Sequence, residues 1–406
     1  MERIFTERAH LMCPHMNFGI VMSAERAFEK DRIRSSFDIL SKNHPFLRAL
    51  LGYDKKDNSY FYDVTDLSKI DLEISDDTLE DTDDQKIIQK YDSLTGYDWD
   101  ITKEGMLKAV AWKQADETLF LLVFHHLLTD GRGALDLACE LSDIYVEDKV
   151  REAVDERLIS SSDDLPKDSG LPFVSRMLVE KANKDWIKDG CEPLTYQRYH
   201  EYADSFLKKD SINILIKRTE ETDVLKMSEE CKKHSVTIND LLMAKMYQDE
   251  DTDKIIIAKD IRESLSSYNK GSLGNYSTAF SVVIKKKDKD IWKLADAVHK
   301  KVQRTIKSPK DLYLVLQCYA KLSPDVLDAS FMAANGEFDS KSAEFIGKMF
   351  FGFETPKGYS ITNLGKIESK NIKSAFFIPP ASPAIRKTVG VLTVNGKMTE
   401  CVCERI

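Results

Sequence analysis

The stretch TLFLLVFHHLLTDGRGALDLACELSDIYVED, residues 118–148, decides the fold. Leu119 to Phe124 is apolar without a break, too short for a membrane span and of the right length for a strand buried on both faces. Side chains alternate along a strand, so His125 and His126 face opposite ways and only one can look into a given cleft. Behind Gly131, Ala134, Ala138, Leu141 and Tyr145 recur at helical spacing, and Leu137 and Ile144 widen that stripe. Strand, turn and helix are therefore predicted in immediate succession, with the histidines at the strand's end. A helix N-terminus beside a histidine disfavours the imidazolium, and a neutral imidazole is what a general base must be near pH 7. Asp130, inside the turn, can bond backbone N–H groups or pair with a distant cation.

Plainer readings of the same residues stand beside this one. A histidine at a strand end is often a satisfied structural residue. Two histidines and an aspartate also suggest a metal, but three ligands within six residues at this spacing do not share a face, so no metal is expected.

The segment His125-His126-Leu127-Leu128-Thr129-Asp130-Gly131 resembles the HHxxxDG signature of the superfamily of chloramphenicol acetyltransferase, peptide-synthetase condensation domains and related O-acyltransferases. Other stretches carry the resemblance further. His44-Pro45-Phe46-Leu47-Arg48 is similar to the HPxLR stretch after the first helix of condensation-type proteins, where a helix stop followed by an edge strand, a structural role, is expected. Arg262, at the end of a strand and a dozen residues before Gly274-Asn275-Tyr276, resembles the second-lobe arginine that pairs with the signature aspartate. Ser360-Ile361-Thr362-Asn363-Leu364-Gly365 resembles an SNLG-like segment that lines the channel in standalone acyltransferases. The DFGWG motif of plant-type acyltransferases is absent, and no adenylation or carrier segment is recognised, so a standalone enzyme is expected.

The resemblance implies an α/β fold of two chloramphenicol acetyltransferase-like lobes with a tunnel between them. The expected division is an N-terminal lobe over 1–165, a linker over 166–190 and a C-terminal lobe over 191–406. It also implies acyl transfer from a thioester, acyl-CoA or an acyl-phosphopantetheine on a carrier protein, to an acceptor hydroxyl, with no bound cofactor. An amide-forming condensation enzyme with an amine acceptor, and a non-catalytic relative, are the alternatives. His126 would be the general base and His125 its support. Asp130 and Arg262 would organise the loop as an ion pair. Gly131 would keep the tunnel wall thin where a pantetheine arm passes, and Asn275, Asn363 and Gly365 would line the substrate channel. Asn363 could alternatively order a turn, and Gly365 allow positive φ.

Composition sets outer limits. The 406 residues are 42% hydrophobic, enough for a sizeable core, and the net charge of −9 argues against a nucleic-acid partner. The acidic Asp81 and Asp83-Asp84 and the basic Lys285-Lys286-Lys287 read as solvated surface. Seven cysteines without a CxxC do not make a disulfide framework and suggest a reducing compartment. Cys401 and Cys403 share a strand face, where packing explains them. With no signal-peptide core at the start and no long apolar run, a cytoplasmic protein is expected.

Along the chain, a strand is predicted over 16–22. A helix bearing Ile33, Phe37 and Leu40 follows, then strands over 59–64 and 70–74, a helix over 84–94 and a strand over 105–113 that pairs with 117–125. Residues 149–190 are rich in breakers, with a short helix over 174–186. Thr237 is expected to cap a helix with Asp240 at its third position. Lys254–Ala258 reads as a buried strand, 276–284 as another, and 291–306 and 311–333 as helical. Asn395-Gly396 is placed to turn a hairpin between 389–394 and 398–402.

Overall fold

The computed structural model describes residues 2–80, 83–350 and 358–406; Asp81 lies outside these. Residues 118–148 fold as their pattern demands. The strand Glu117–His125 runs into a turn and then the helix Gly131–Glu147. Phe120 to Phe124 are fully buried, and antiparallel neighbours flank the strand on both edges: Asn17–Ala24 on one and Leu107–Gln114 on the other. The helix buries Ala134, Leu137, Ala138, Leu141, Ile144 and Tyr145.

This strand is the middle of a five-stranded sheet ordered Ile372–Ile378, Asn17–Ala24, Glu117–His125, Leu107–Gln114, Asp71–Thr78. A six-stranded sheet forms the second lobe in the order Ser277–Val283, Lys254–Asp260, Gly358–Ile367, Ile385–Val394, Lys397–Arg405, Ile212–Thr219. A small sheet of Glu2–Arg3, Ser59–Val64 and Ala49–Asp54 stands apart from both. The architecture is the expected α/β arrangement, with helices packed on mixed sheets.

Local signals map closely onto the elements. Asn395 and Gly396 both have positive φ, 49° and 82°, the geometry of a type I′ turn, and Val394 pairs with Lys397 across it. Thr237 and Asp240 form a reciprocal capping box on Ile238–Asp249. Cys401 and Cys403 are both buried on one strand, and all seven cysteines are free. Lys285, Lys286 and Lys287 are exposed, while Asp84 pairs with Arg218.

Other expectations need correction. Lobe membership does not follow chain position: Ile372–Ile378, expected in the second lobe, pairs antiparallel with Asn17–Ala24 and completes the first sheet. The expected linker is mostly a helix, Phe173–Asp189, longer than 174–186. It buries Val179, Ala182 and Trp186 in the same core as the first sheet, and Tyr196–Leu207 joins it there. Lys254–Asp260 is only half-buried, Ile255 and Ile257 pointing inward and the lysines outward. The region 311–333 is three short helices, broken at Tyr313 and at Ser323-Pro324, where proline opens the next helix.

Candidate active site

His126 follows the last residue of its strand, and its backbone N–H donates to Met16 O at 2.8 Å. Alternation separates the histidines as expected. His125 is buried on the side of Trp99, ring centroids 6.2 Å apart, and its Nδ1 accepts the Leu127 N–H at 3.1 Å. Burial pushes its pKa down to about 3. His126 turns instead toward the second lobe.

The second lobe grips the His126 turn at several points. The Asn275 amide donates to His126 O at 2.8 Å and Leu127 O at 3.3 Å, and the Asp130 N–H donates to Gly274 O at 3.2 Å. With its NH2 so committed, Asn275 presents Oδ1 to His126 Nδ1 at 2.8 Å. An amide oxygen only accepts, so Nδ1 carries the proton and Nε2 the lone pair. Nε2 has no hydrogen-bond partner among the described residues, and the residue as a whole is half-buried.

Burial lowers the His126 pKa below its ordinary value, against the opposing pull of its own backbone hydrogen bond, the Asp130 charge and Asn275. The sequence reading credited the helix terminus with keeping this ring neutral; desolvation accounts for it here.

Asp130 meets Arg262 in a two-pronged pair, Oδ2 to Nη1 at 3.0 Å and Oδ1 to Nη2 at 2.8 Å, both side chains buried. The same carboxylate caps the helix by accepting the Gly133 N–H at 3.0 Å, and it accepts the Tyr276 N–H at 2.9 Å. Burial alone would raise the Asp130 pKa, but Arg262 and the two backbone donors more than offset that and hold it below the usual range. Arg262 lies against the rings of Tyr268 and Tyr276, 5.5 and 5.1 Å from their centroids. Asp130 thus does both things open to it, turn holder and ion-pair partner.

Gly133 is a site residue that the sequence reading overlooked. A Cβ there would lie 2.2 Å from Thr129 Oγ1 and 3.1 Å from Arg262 Nη2, so only glycine lets the arginine reach Asp130 unhindered. Gly131 differs from expectation. Its missing Cβ leaves room for Leu364 and Phe377, 2.8 and 3.4 Å away, which makes it a packing contact between lobes. Asn363 and Gly365 are exposed. Asn363 Oδ1 accepts the Gly365 N–H at 2.8 Å and orders an irregular turn in which Gly365 has φ +85°, the turn-ordering option. The side chain of this segment that reaches the site is Leu364. Asn275, expected along a channel, touches His126 directly.

His44 takes the structural role foreseen for its motif. It lies buried between two carboxylates, Nδ1 3.0 Å from Glu156 and Nε2 3.2 Å from Glu140. Burial opposes its charge, yet the two carboxylates raise its pKa to about 9. A short 3-10 turn, Pro45–Arg48, precedes the strand Ala49–Asp54.

Cavities of about 230 and 300 Å³ lie elsewhere, the first lined by residues including Asn17, Tyr91 and Cys403 and the second by residues including Met22, Gln114 and Thr399; His126 lines neither. No helix among the described residues is long and apolar enough to cross a membrane.

The chain thus has a two-lobed α/β fold with a histidine at the lobe junction and an inter-lobe Asp–Arg pair bracing it. The chain has the fold of the superfamily of condensation domains and chloramphenicol acetyltransferase-like acyltransferases, and its residues 4–158 match the Condensation domain family. Among curated proteins it is 21% identical over 248 residues to Surfactin synthase subunit 2 of Bacillus subtilis (strain 168), 60% of this chain and 7% of that one. Surfactin synthase subunit 1 is 22% identical over 147 residues, 36% of this chain and 4% of that one. The chain therefore spans less than a tenth of the length of these relatives. Among solved structures, trichothecene 15-O-acetyltransferase from Fusarium sporotrichioides superposes with a TM-score of 0.66 at 11% identity, covering 99% of this chain and 90% of that one. Polyketide synthase associated protein 5 from Mycobacterium tuberculosis gives 0.61 at 12% identity, covering 100% and 92%.

Proposed function

We propose that the chain is an acyltransferase that moves an acyl group from a thioester, acyl-CoA or an acyl carrier protein, to an acceptor hydroxyl, with His126 as general base. The observation that carries this reading is the state of one ring. Burial favours the uncharged His126 ring, Asn275 sets its tautomer, and no described residue bonds its Nε2. Nε2 takes the proton of the acceptor hydroxyl as its oxygen attacks the thioester carbonyl. The tetrahedral adduct collapses by breaking the C–S bond, and the imidazolium returns the proton to the departing thiolate. General-base assistance of this kind is worth about 10²–10⁴-fold; holding both reactants beside the ring supplies the rest. A thioester is already activated, so a covalent enzyme intermediate is not needed. A passage for the two substrates between the lobes, with Asn275 on its wall, belongs to this proposal. The match to the Condensation domain family favours a second reading, in which the acceptor is an amine and the donor is carrier-bound.

The test is thiol release from a panel of acyl-CoA and acyl-phosphopantetheine donors with mixed alcohols and amines, comparing wild type with His126→Ala. Release by wild type, lowered at least about 100-fold in the variant, supports the reading. Equal release by both proteins, or none with any pair, refutes it. Because burial lowers the His126 pKa, the base stays unprotonated below its ordinary titration range. The acid limb of kcat/KM is therefore expected below about pH 6.5.

A further inference from the structure

Near the start of the chain, Thr6–His10 forms a single 3-10 turn that lodges three ionisable side chains at or near the lobe junction. Arg8 is buried and makes a two-pronged pair with Asp328, Nε to Oδ1 at 2.8 Å and Nη2 to Oδ2 at 2.6 Å. Glu7 is fully buried and accepts the Asn275 N–H at 3.3 Å, on the same residue whose side chain sets the His126 tautomer. His10 ends the turn with its ring laid flat on that of His126, centroids 4.3 Å apart and planes within 15°. On another side the Phe18 ring meets His126 edge-on at 5.2 Å and 67°.

A histidine side chain has two soft torsions: χ1 places the ring and χ2 sets its plane. The single Asn275 hydrogen bond restrains where the ring sits but leaves its plane free to rock about the Nδ1 contact. A flat stack is the contact that fixes a plane. The turn is in turn pinned by the buried Arg8–Asp328 pair, so the stack does not depend on a mobile chain end.

We propose that His10 is a positioning residue for the base: stacked on His126, it holds the imidazole plane so that Nε2 faces the reacting hydroxyl, and it excludes water from that face of the ring. This rests on His126 being the base. His10 never touches the substrate; it acts through the ring beneath it. Its own pKa is held well below the ordinary value, first by burial and then by His126 and His125, so both stacked rings are neutral together. The charged and titratable groups around the pair are His125 and His126 at the strand end, Asp130 at the helix cap and Glu7 in the turn itself. Asp328 and Tyr319 lie on the helices packed against the turn.

The test uses the full chain with His10→Phe, which keeps a flat ring, and His10→Ala, which removes it. Proton–carbon NMR follows the titration of the His126 ring, and kcat and KM are measured with whichever thioester serves wild type. With the ring gone, water reaches His126 and its midpoint is expected to rise toward the ordinary value by about half to one pH unit. Turnover in His10→Ala is expected to fall about tenfold in kcat with KM nearly unchanged, and His10→Phe to stay within about threefold of wild type. An identical His126 midpoint in all three proteins overturns the proposal, as does a loss in His10→Phe as deep as in His10→Ala. The NMR readout needs no activity. A midpoint that moves while wild type turns over no thioester supports the stack and refutes the enzyme reading instead.

Discussion

Replacing Asp130 with asparagine tests the inter-lobe brace with almost no change in shape. The carboxylate accepts two bonds from Arg262, one from Gly133 N–H and one from Tyr276 N–H. The amide keeps one acceptor oxygen, turns an N–H2 toward donors, and leaves the buried guanidinium with Asp260 as its remaining ion-pair partner among the described residues. Breaking one partner of a buried pair costs about 3–5 kcal/mol. At about 2.1 cal/mol/K per residue, a chain of 406 residues unfolds with an entropy of about 0.85 kcal/mol/K, so Tm should drop by about 4–6 °C. The pH dependence has a definite sign. The Asp130 pKa is depressed in the folded state, so its contribution is present above the unfolded carboxylate value, about 3.9, and is lost as pH falls through the folded one. The deficit of Asp130→Asn should therefore hold at neutral pH and narrow in acid. Thermal unfolding by circular dichroism at several pH values, with turnover measured alongside, decides the matter. An unchanged Tm with turnover lost would refute the reasoning and give Asp130 a direct part in the chemistry.

Gly133→Ala should destabilise by about 1–3 kcal/mol, because its methyl would collide with Thr129 and crowd Arg262; chemical denaturation reads this, and a neutral result would mean the turn can shift without loosening the pair. His44 has a raised folded pKa of about 9, so its stabilising effect is complete below its unfolded value near 6.5 and lost as pH rises through 9. Wild type should accordingly lose up to about 3 kcal/mol between pH 6 and 10 from this group. His44→Gln should lack that slope in a comparison of Tm against pH. Asn275→Ala frees the His126 tautomer and should cut kcat by about 10–100-fold with little change in KM, measured by thiol release.

Much of this was legible where the pattern is local. An unbroken apolar run, a polar turn and a 3.6-residue stripe could only become the strand Glu117–His125 and the helix behind it. Asn395-Gly396 could only turn one way. Arg262 was reached through resemblance alone, since nothing in its own surroundings announces a partner 132 residues away. Where contacts are both distant and unpatterned, sequence gave no handle. His10 stands in a segment with no periodicity, and its place over His126 follows from the Arg8–Asp328 pair, 320 residues apart in the chain. The crossing of Ile372–Ile378 was hidden for a related reason: a strand's composition says that it pairs, not with which sheet. Asn363 carried a motif-based expectation, but its short amide found its own backbone first, as asparagine in a turn commonly does.

That late strand has a consequence for how the molecule is made. Until residue 378 has left the ribosome, the outer edge of Asn17–Ala24 has no neighbour and offers its peptide groups to any extended segment nearby. At synthesis rates of about 5–20 residues per second, the gap lasts some tens of seconds. The two halves are therefore obligate partners in biogenesis as well as in architecture. A split after residue 350 should yield an insoluble N-terminal fragment, and adding back a peptide spanning 372–378 should recover it.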